Sequence, residues 1–185
     1  MMRLALLLPL AVSAGAANAK DWTVDPAASS LGFSGMYQGE KFSGKFSRFD
    51  AAISLDTADL AKAKFDVSID VTSANTGNGD YDAQIKAPEF FDFAKFPKAR
   101  FVTTVFRDGD EGLVADGTLT IRNKSHAVTL KLTFKPAGDG ATLDVETTLK
   151  RLDFDVGTGD WADTSLIANE VPVTAHLALK PKPGG

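Results

Sequence analysis

The sequence predicts an all-β fold: an eight-stranded antiparallel up-and-down barrel with a short helix near residues 79–92. Three observations carry this reading. Apolar and polar residues alternate with period two along most of the chain, turn-forming Gly, Asn and Asp punctuate the alternation, and one segment breaks it with helical spacing. Successive side chains of a strand point to opposite faces, so Phe65, Val67, Ile69 and Val71 set against Lys64, Asp66, Ser68 and Asp70 give one dry and one wet face. Strands joined by short turns, with no strand–helix–strand repeat, pair antiparallel as a sandwich or a closed barrel. The barrel is preferred because local connections close most simply on themselves, and about eight strands enclose an interior that is filled by side chains or holds one ligand.

The first element is an address. Met1 to Arg3 start with a positive charge, Leu4 to Val12 are apolar around Pro9, and Ala17-Asn18-Ala19 forms a small-residue cleavage pattern. A cleavable secretory signal peptide is expected over residues 1–19 and a single domain over 20–185. The apolar run is shorter than the roughly 20 residues that span a bilayer. Strands are then expected over Trp22 to Asp25, Ser30 to Tyr37, and Phe42 to Leu55 with a bulge between Phe46 and Phe49. Further strands are expected at Lys64 to Val71, Ala99 to Arg107, Leu113 to Arg122, Val128 to Lys135, Leu143 to Leu149 and Val171 to Leu179. Gly39-Glu40, Asp108-Gly109-Asp110, Asn123-Lys124 and Gly138-Asp139-Gly140 supply turns between them.

The helix is expected where Tyr81 and Ile85 stand four residues apart beside Ala83 and Ala87, with Asn78 or Asp80 as cap and Pro88 as terminator or restart. The connection that follows, Glu89-Phe90-Phe91-Asp92-Phe93 and Phe96-Pro97, is aromatic for a surface loop and is expected to plug a barrel end or line a mouth. Gly32, Gly35, Gly44 and Gly117 lie inside strands, where they mark bends or leave interior room.

Composition narrows the chemistry. The net charge of −4 gives no reason to expect nucleic acid as a partner, and the absence of Cys removes thiolate, disulfide and iron–sulfur chemistry. His126 and His176 fall on the polar faces of their strands without convergent ligands, so no metal site and no cofactor are expected. Asp153 and Asp155 are expected to share a strand face in Arg151-Leu152-Asp153-Phe154-Asp155, which raises a paired-carboxylate hydrolase; a solvated or salt-bridged face is the competing use. Ser29-Ser30 and Ser125-His126 lack a nucleophile-elbow context, and Gly157-Thr158-Gly159-Asp160 reads as a turn because no helix with a Lys follows. An exported, Phe-rich barrel with little catalytic equipment is suited to carrying or sensing an apolar ligand.

Several motifs resemble the YceI-like proteins over nearly the whole of residues 20–185. They are Val24-Asp25-Pro26 with Ser29-Ser30-Leu31-Gly32-Phe33, Gly44-Lys45-Phe46, Thr76 with Asp80 and Asp82, Glu89-Phe90-Phe91-Asp92 with Phe96-Pro97, Gly117 to Arg122, and Phe154-Asp155-Val156-Gly157. Asp160-Trp161-Ala162-Asp163 and Asn169-Glu170-Val171 are similar to a subgroup found beside membrane b-type cytochromes. The sequence departs from the family pattern at Ala28, at Asn123-Lys124-Ser125-His126-Ala127 and at Asp155; Asn tolerates the left-handed conformation that Gly supplies in such a turn.

The resemblance implies a lipocalin-like barrel enclosing a polyisoprenoid chain, a periplasmic address and no established catalysis. The leading reading is a carrier or reservoir for a long isoprenoid lipid, a quinone tail or polyprenyl phosphate. Its expected lining is Phe33, Phe46, Phe65, Val67, Ile69, Phe101, Leu119, Ile121, Leu132, Phe134, Leu149 and Phe154, with Phe90, Phe91 and Trp161 near an opening. A charged head group would meet Arg48 or Arg151, for which structural ion pairing is the competing use. The alternatives are an accessory domain for a membrane b-type cytochrome, a carboxylate-dependent hydrolase, and a transmembrane barrel. The last is weakened by only two Trp and two Tyr for aromatic girdles. A homodimer is among the assemblies the sequence allows.

Overall fold

The computed structural model describes residues 20–182; the expected signal peptide over 1–19 lies outside the described residues. Eleven strands form one antiparallel sheet that closes on itself. In chain order they are β1 (Asp21–Val24), β2 (Ser30–Tyr37), β3 (Glu40–Phe46), β4 (Phe49–Ser54), β5 (Lys64–Asp70), β6 (Ala74–Asn75), β7 (Lys98–Gly109), β8 (Gly112–Ile121), β9 (Lys124–Ala137), β10 (Gly140–Lys150) and β11 (Glu170–Pro181). β1 and β2 act as one stave bent at the 3-10 turn Pro26–Ala28, β3 and β4 as a second stave broken at Ser47 and Arg48, and β6 is a two-residue addition to the edge of β3. Eight staves therefore make the wall. β1 pairs with both β4 and β11, and β2 with both β3 and β11, which closes the ring.

Local chemistry explains most of these elements. Gln38 and Gly39, then Arg122 and Asn123, take positive φ in tight hairpin turns, the conformation expected of Asn123. Lys131, Lys135, Arg107 and Glu146 are exposed while Leu132 and Phe106 are buried, so the apolar face of the alternation points inward. Two apolar clusters pack the two ends of the barrel. Trp22, Leu55, Phe106, Leu132 and Leu179 form one at the end with the Gly109–Gly112 hairpin; Phe90, Phe101, Leu119, Phe154 and Ile167 form the other beneath the helix and the connection before β11. The Trp22 indole N–H donates to the Leu55 carbonyl at 2.9 Å, which satisfies the one polar atom that this ring buries.

Four expectations are corrected. The segment Phe42 to Leu55 is two strands rather than one bulged strand, because the Ser47 and Arg48 N–H groups turn away to the carbonyl and hydroxyl of Ser73. The helix, α1, covers only Gly79–Gln84: the Asn78 side chain caps it, accepting from the N–H groups of Asp80 and Tyr81, and tight turns replace it through Ala87 and Asp92 as Phe90 is drawn into the core. Arg151–Phe154 is a 3-10 turn ending in left-handed Asp155, so Asp153 and Asp155 do not share a strand face. Three of the four in-strand glycines, Gly35, Gly44 and Gly117, seat aromatic rings rather than vacant space, and Gly32 faces the Gly44 backbone carbonyl. A Cβ on Gly35 would stand 2.6 Å from the Phe42 ring, one on Gly117 2.5 Å from the Phe101 ring, and one on Gly44 would meet the Phe33 ring.

Candidate functional site

Between the two end clusters lies a cavity of about 180 Å³. Its wall is apolar apart from Thr147 and draws on every stave, β9 through Val128 and Leu130. β2, β3 and β4 contribute Leu31, Phe33, Phe46, Phe49, Ala51 and Ile53; β5 contributes Phe65, Val67 and Ile69; β7 and β8 contribute Ala99, Phe101, Leu119 and Ile121; β10 and β11 contribute Leu143, Val145, Leu149, Val173 and Ala175. Among the described residues no buried side-chain N or O atom lacks a hydrogen-bond partner. Only dispersion and the hydrophobic effect act on an occupant of such a space, so it selects for shape and apolar surface.

Of the residues expected to line an interior, Phe33, Phe46, Phe65, Val67, Ile69, Phe91, Phe101, Leu119, Ile121 and Leu149 stand on this wall. Others do not, each for a packing reason. Leu132 is sealed in the first end cluster, Phe134 meets Trp22 edge-on at 5.5 Å, and Phe154 is buried in the second end cluster. Phe90 and Trp161 pair at 5.5 Å in a separate crevice of about 210 Å³ with Tyr37, Phe42 and Tyr81. Of the two uses expected for the aromatic connection, Phe90 takes the first and helps to plug an end, while Phe91 faces the inner cavity rather than a mouth. The face of β11 that carries Val171, Val173, Ala175 and Leu177 was missed, although its alternation is as regular as that of β5.

The two head-group arginines part company. Arg48 is exposed at the outer surface, where it donates to Asp70 at 2.8 Å and to Thr72 at 3.0 Å. Hydrogen bonds from Thr72 and from Arg48 hold the Asp70 carboxyl below the usual carboxylate range. Arg151 is buried and donates to the carbonyls of Val156, Gly157, Ile167 and Ala168 at 2.8–3.1 Å, so it is corrected from a ligand contact to a staple of the second end. Burial without a carboxylate partner lowers its pKa from the ordinary arginine value. Gly157, at φ +83°, leaves the space the guanidinium occupies. Arg122 pins the same end, donating to the carbonyls of Phe90 and Asp155.

The remaining polar candidates are engaged locally. Asp155 pairs with Lys124 at 3.1 Å, His176 with Asp144 at 2.6 Å, and His126 rests edge-on against Phe154 at 5.1 Å between ring centroids.

Comparison with known proteins agrees with this architecture. The family model described as YceI-like domain matches residues 22–179. Protein YceI of Escherichia coli O157:H7 is 32% identical over 165 residues, covering 80% of this chain and 83% of that protein. A UPF0312 protein of Shewanella denitrificans is 35% identical over 130 residues, covering 68% of this chain and 65% of the relative. The crystal structure of Burkholderia cenocepacia BcnA superposes with a TM-score of 0.79 at 33% identity, over 84% of this chain and 98% of that one. A polyisoprenoid binding domain from Saccharophagus degradans, implicated in plant cell wall breakdown, shares the fold with a TM-score of 0.67 at 19% identity, over 88% and 99% of the two chains.

Proposed function

The chain belongs to the YceI-like domain family, and from that premise we propose that it is a periplasmic carrier or reservoir for a long isoprenoid lipid held inside the barrel. The observation that carries this reading is the apolar cavity at the barrel centre, walled by side chains from every stave and offering an occupant no charge. The fold that the chain shares with a polyisoprenoid binding domain supports it. The periplasmic address rests on the pattern over residues 1–19.

Energetics favour a long ligand. At about 0.8 kcal/mol per buried CH₂, a five-carbon isoprene unit contributes roughly 3–4 kcal/mol gross. Association and ordering oppose binding by about 4–15 kcal/mol, so one unit is held weakly and several are held usefully. The cavity of about 180 Å³ is below the roughly 300–1,000 Å³ of pockets that enclose whole small ligands. The Phe33, Phe46 and Phe91 rings on its wall are half-buried and give way as a chain enters.

Organic extraction of the protein purified from the periplasm, followed by mass spectrometry, tests this function. A stoichiometric isoprenoid lipid is the expected result. An empty extract, together with no uptake of added polyprenol, removes the carrier reading.

A further inference from the structure

Besides a smaller parting between β9 and β10, where the ladder ends at Lys131 opposite Glu146 under a groove of about 770 Å³ whose Lys150 is countered by Glu146 and Asp153, the barrel wall parts between the first and second staves. Trp22 opposite Ile53 is the last backbone pair on one side of the parting, and Leu31 opposite Phe46 is the last on the other. Between these pairs each stave turns to its other neighbour. The Asp25 N–H donates to the Ala178 carbonyl at 2.8 Å, and the Ser29 hydroxyl accepts from the Ala178 N–H at 3.0 Å, which holds the first stave on β11. The Arg48 N–H donates to the Ser73 hydroxyl at 3.1 Å, and the Arg48 carbonyl accepts from the Asp70 N–H at 3.1 Å, which draws the second stave toward β5. An outer groove of about 1040 Å³ lies over the parting. Leu31, Phe46, Phe49 and Ala51 line both this groove and the inner cavity.

We propose that the isoprenoid enters and leaves sideways through this parting, and that its polar end stays outside in the groove. The inference deepens the carrier reading and rests on it. Both ends of the barrel are closed by packed clusters, one of them stapled by Arg151 through four carbonyls, so passage along the axis has to break a core. Passage through the wall breaks no ladder, because the rungs there are already absent. Size points the same way: a chain too long for the inner cavity continues into the groove across side chains common to both spaces. Charge completes the argument. Asp66 and Asp70 at the groove are paired with Arg100 and Arg48, whereas no ion pair engages Lys45, Lys98 or Lys182 among the described residues, which leaves three ammonium groups against the carboxylate of Asp50. An anionic end such as a phosphate is held there, while the inner wall carries no charge that could receive it.

The chain contains no cysteine, so single thiols can be placed cleanly. Ser30→Cys and Ser47→Cys put near-isosteric thiols on exposed positions either side of the parting, one step beyond the Leu31–Phe46 pair. Asp80→Cys puts one at the aromatic crevice of the closed end. Each is capped with a bulky label through a reducible disulfide, and uptake of a fluorescent long-chain polyprenyl phosphate is followed by stopped flow. Labels at Ser30 and Ser47 are expected to slow uptake about tenfold, with the original rate returning on reduction, which separates obstruction from misfolding. The label at Asp80 is expected to leave the rate unchanged. Slowing at Asp80 with none at Ser30 or Ser47, or equal rates at all three, overturns lateral entry while leaving the carrier reading intact. No uptake by the unlabelled protein overturns the carrier reading and this route with it.

Discussion

The two sides of the barrel carry the same alternating pattern and are built differently. β7 to β11 run 10 to 14 residues each, and β10 and β11 pair without interruption from Ala141–Leu179 to Lys150–Glu170. β1 to β4 run four to eight residues, bend at Pro26 and break at Ser47 and Arg48. Period-two alternation fixes which face a residue takes and says nothing about whether a stave stays paired along its length. Continuity is decided by short competing bonds, such as those of Ser29 and Ser73, and by a proline that has no N–H to give to a ladder. The side with the long ladders supplies rigidity, even though β9 and β10 separate beyond Lys131–Glu146, and the side with the short staves supplies the wider place where the wall can yield.

That contrast can be broken or sharpened by substitution. The largest effect is expected at the staple of the closed end: Arg151→Met strands four buried carbonyls and lowers stability by about 4 kcal/mol in urea unfolding. A loss near zero would mean that this end is not closed as described. Next, Leu143→Ala on the side with the long ladders, where Leu143 is paired on both sides and fully buried, is expected to cost about 3 kcal/mol. Phe49→Ala at the parting, where the ring is only half-buried, is expected to cost about 1 kcal/mol by the same measurement. Equal costs would remove the distinction between the two sides.

The glycines give a smaller test of the same kind. A Cβ at Gly117 meets the backbone carbonyl of Val102 at 2.5 Å, which cannot move aside, so Gly117→Ala should lower stability by about 2 kcal/mol. A Cβ at Gly44 meets the movable ring of Phe33 and stands 3.1 Å from the Asn75 carbonyl, farther than the 2.5 Å at Gly117, so Gly44→Ala should lower stability by about 1 kcal/mol, less than Gly117→Ala, and, by displacing a ring of the cavity wall, weaken lipid binding. Acid gives the smallest effect. Hydrogen bonds and ion pairs from Lys180, Arg100, and Thr72 with Arg48 hold the pKa values of Asp25, Asp66 and Asp70 below 3.8. A carboxyl with a depressed folded-state pKa stabilises the fold above its unfolded value and loses that contribution as pH falls through the folded one. The urea midpoint is therefore expected to be flat from about pH 5 to 8 and to fall below about pH 4, with a smaller fall in the Asp66→Asn and Asp70→Asn double variant, which keeps the depressed carboxyls of Asp25, Asp116 and Asp163.

Much of the fold was legible in the sequence because strand faces are a local property. The alternation at Phe65, Val67 and Ile69 placed those side chains on the cavity wall, and Asn123 placed a tight turn. The YceI-like motifs led to the right family. What stayed hidden depends on partners distant in the chain. Leu132 and Phe134 alternate exactly as wall residues do, and only the closing of one end around Trp22 removes them from the cavity. Arg151 reads as a free cation until the carbonyls of Ile167 and Ala168 arrive around it. The break at Ser47 depends on Ser73, whose hydroxyl comes from another part of the chain.

The central claim is that the apolar centre and the groove beside it hold an isoprenoid chain, and a length series of polyprenyl phosphates titrated against the purified, delipidated protein by tryptophan fluorescence tests it most directly. The account predicts that affinity rises about tenfold or more with each added isoprene unit until inner cavity and groove are filled, and then levels. Affinity that ignores chain length, or no binding at any length, would contradict it.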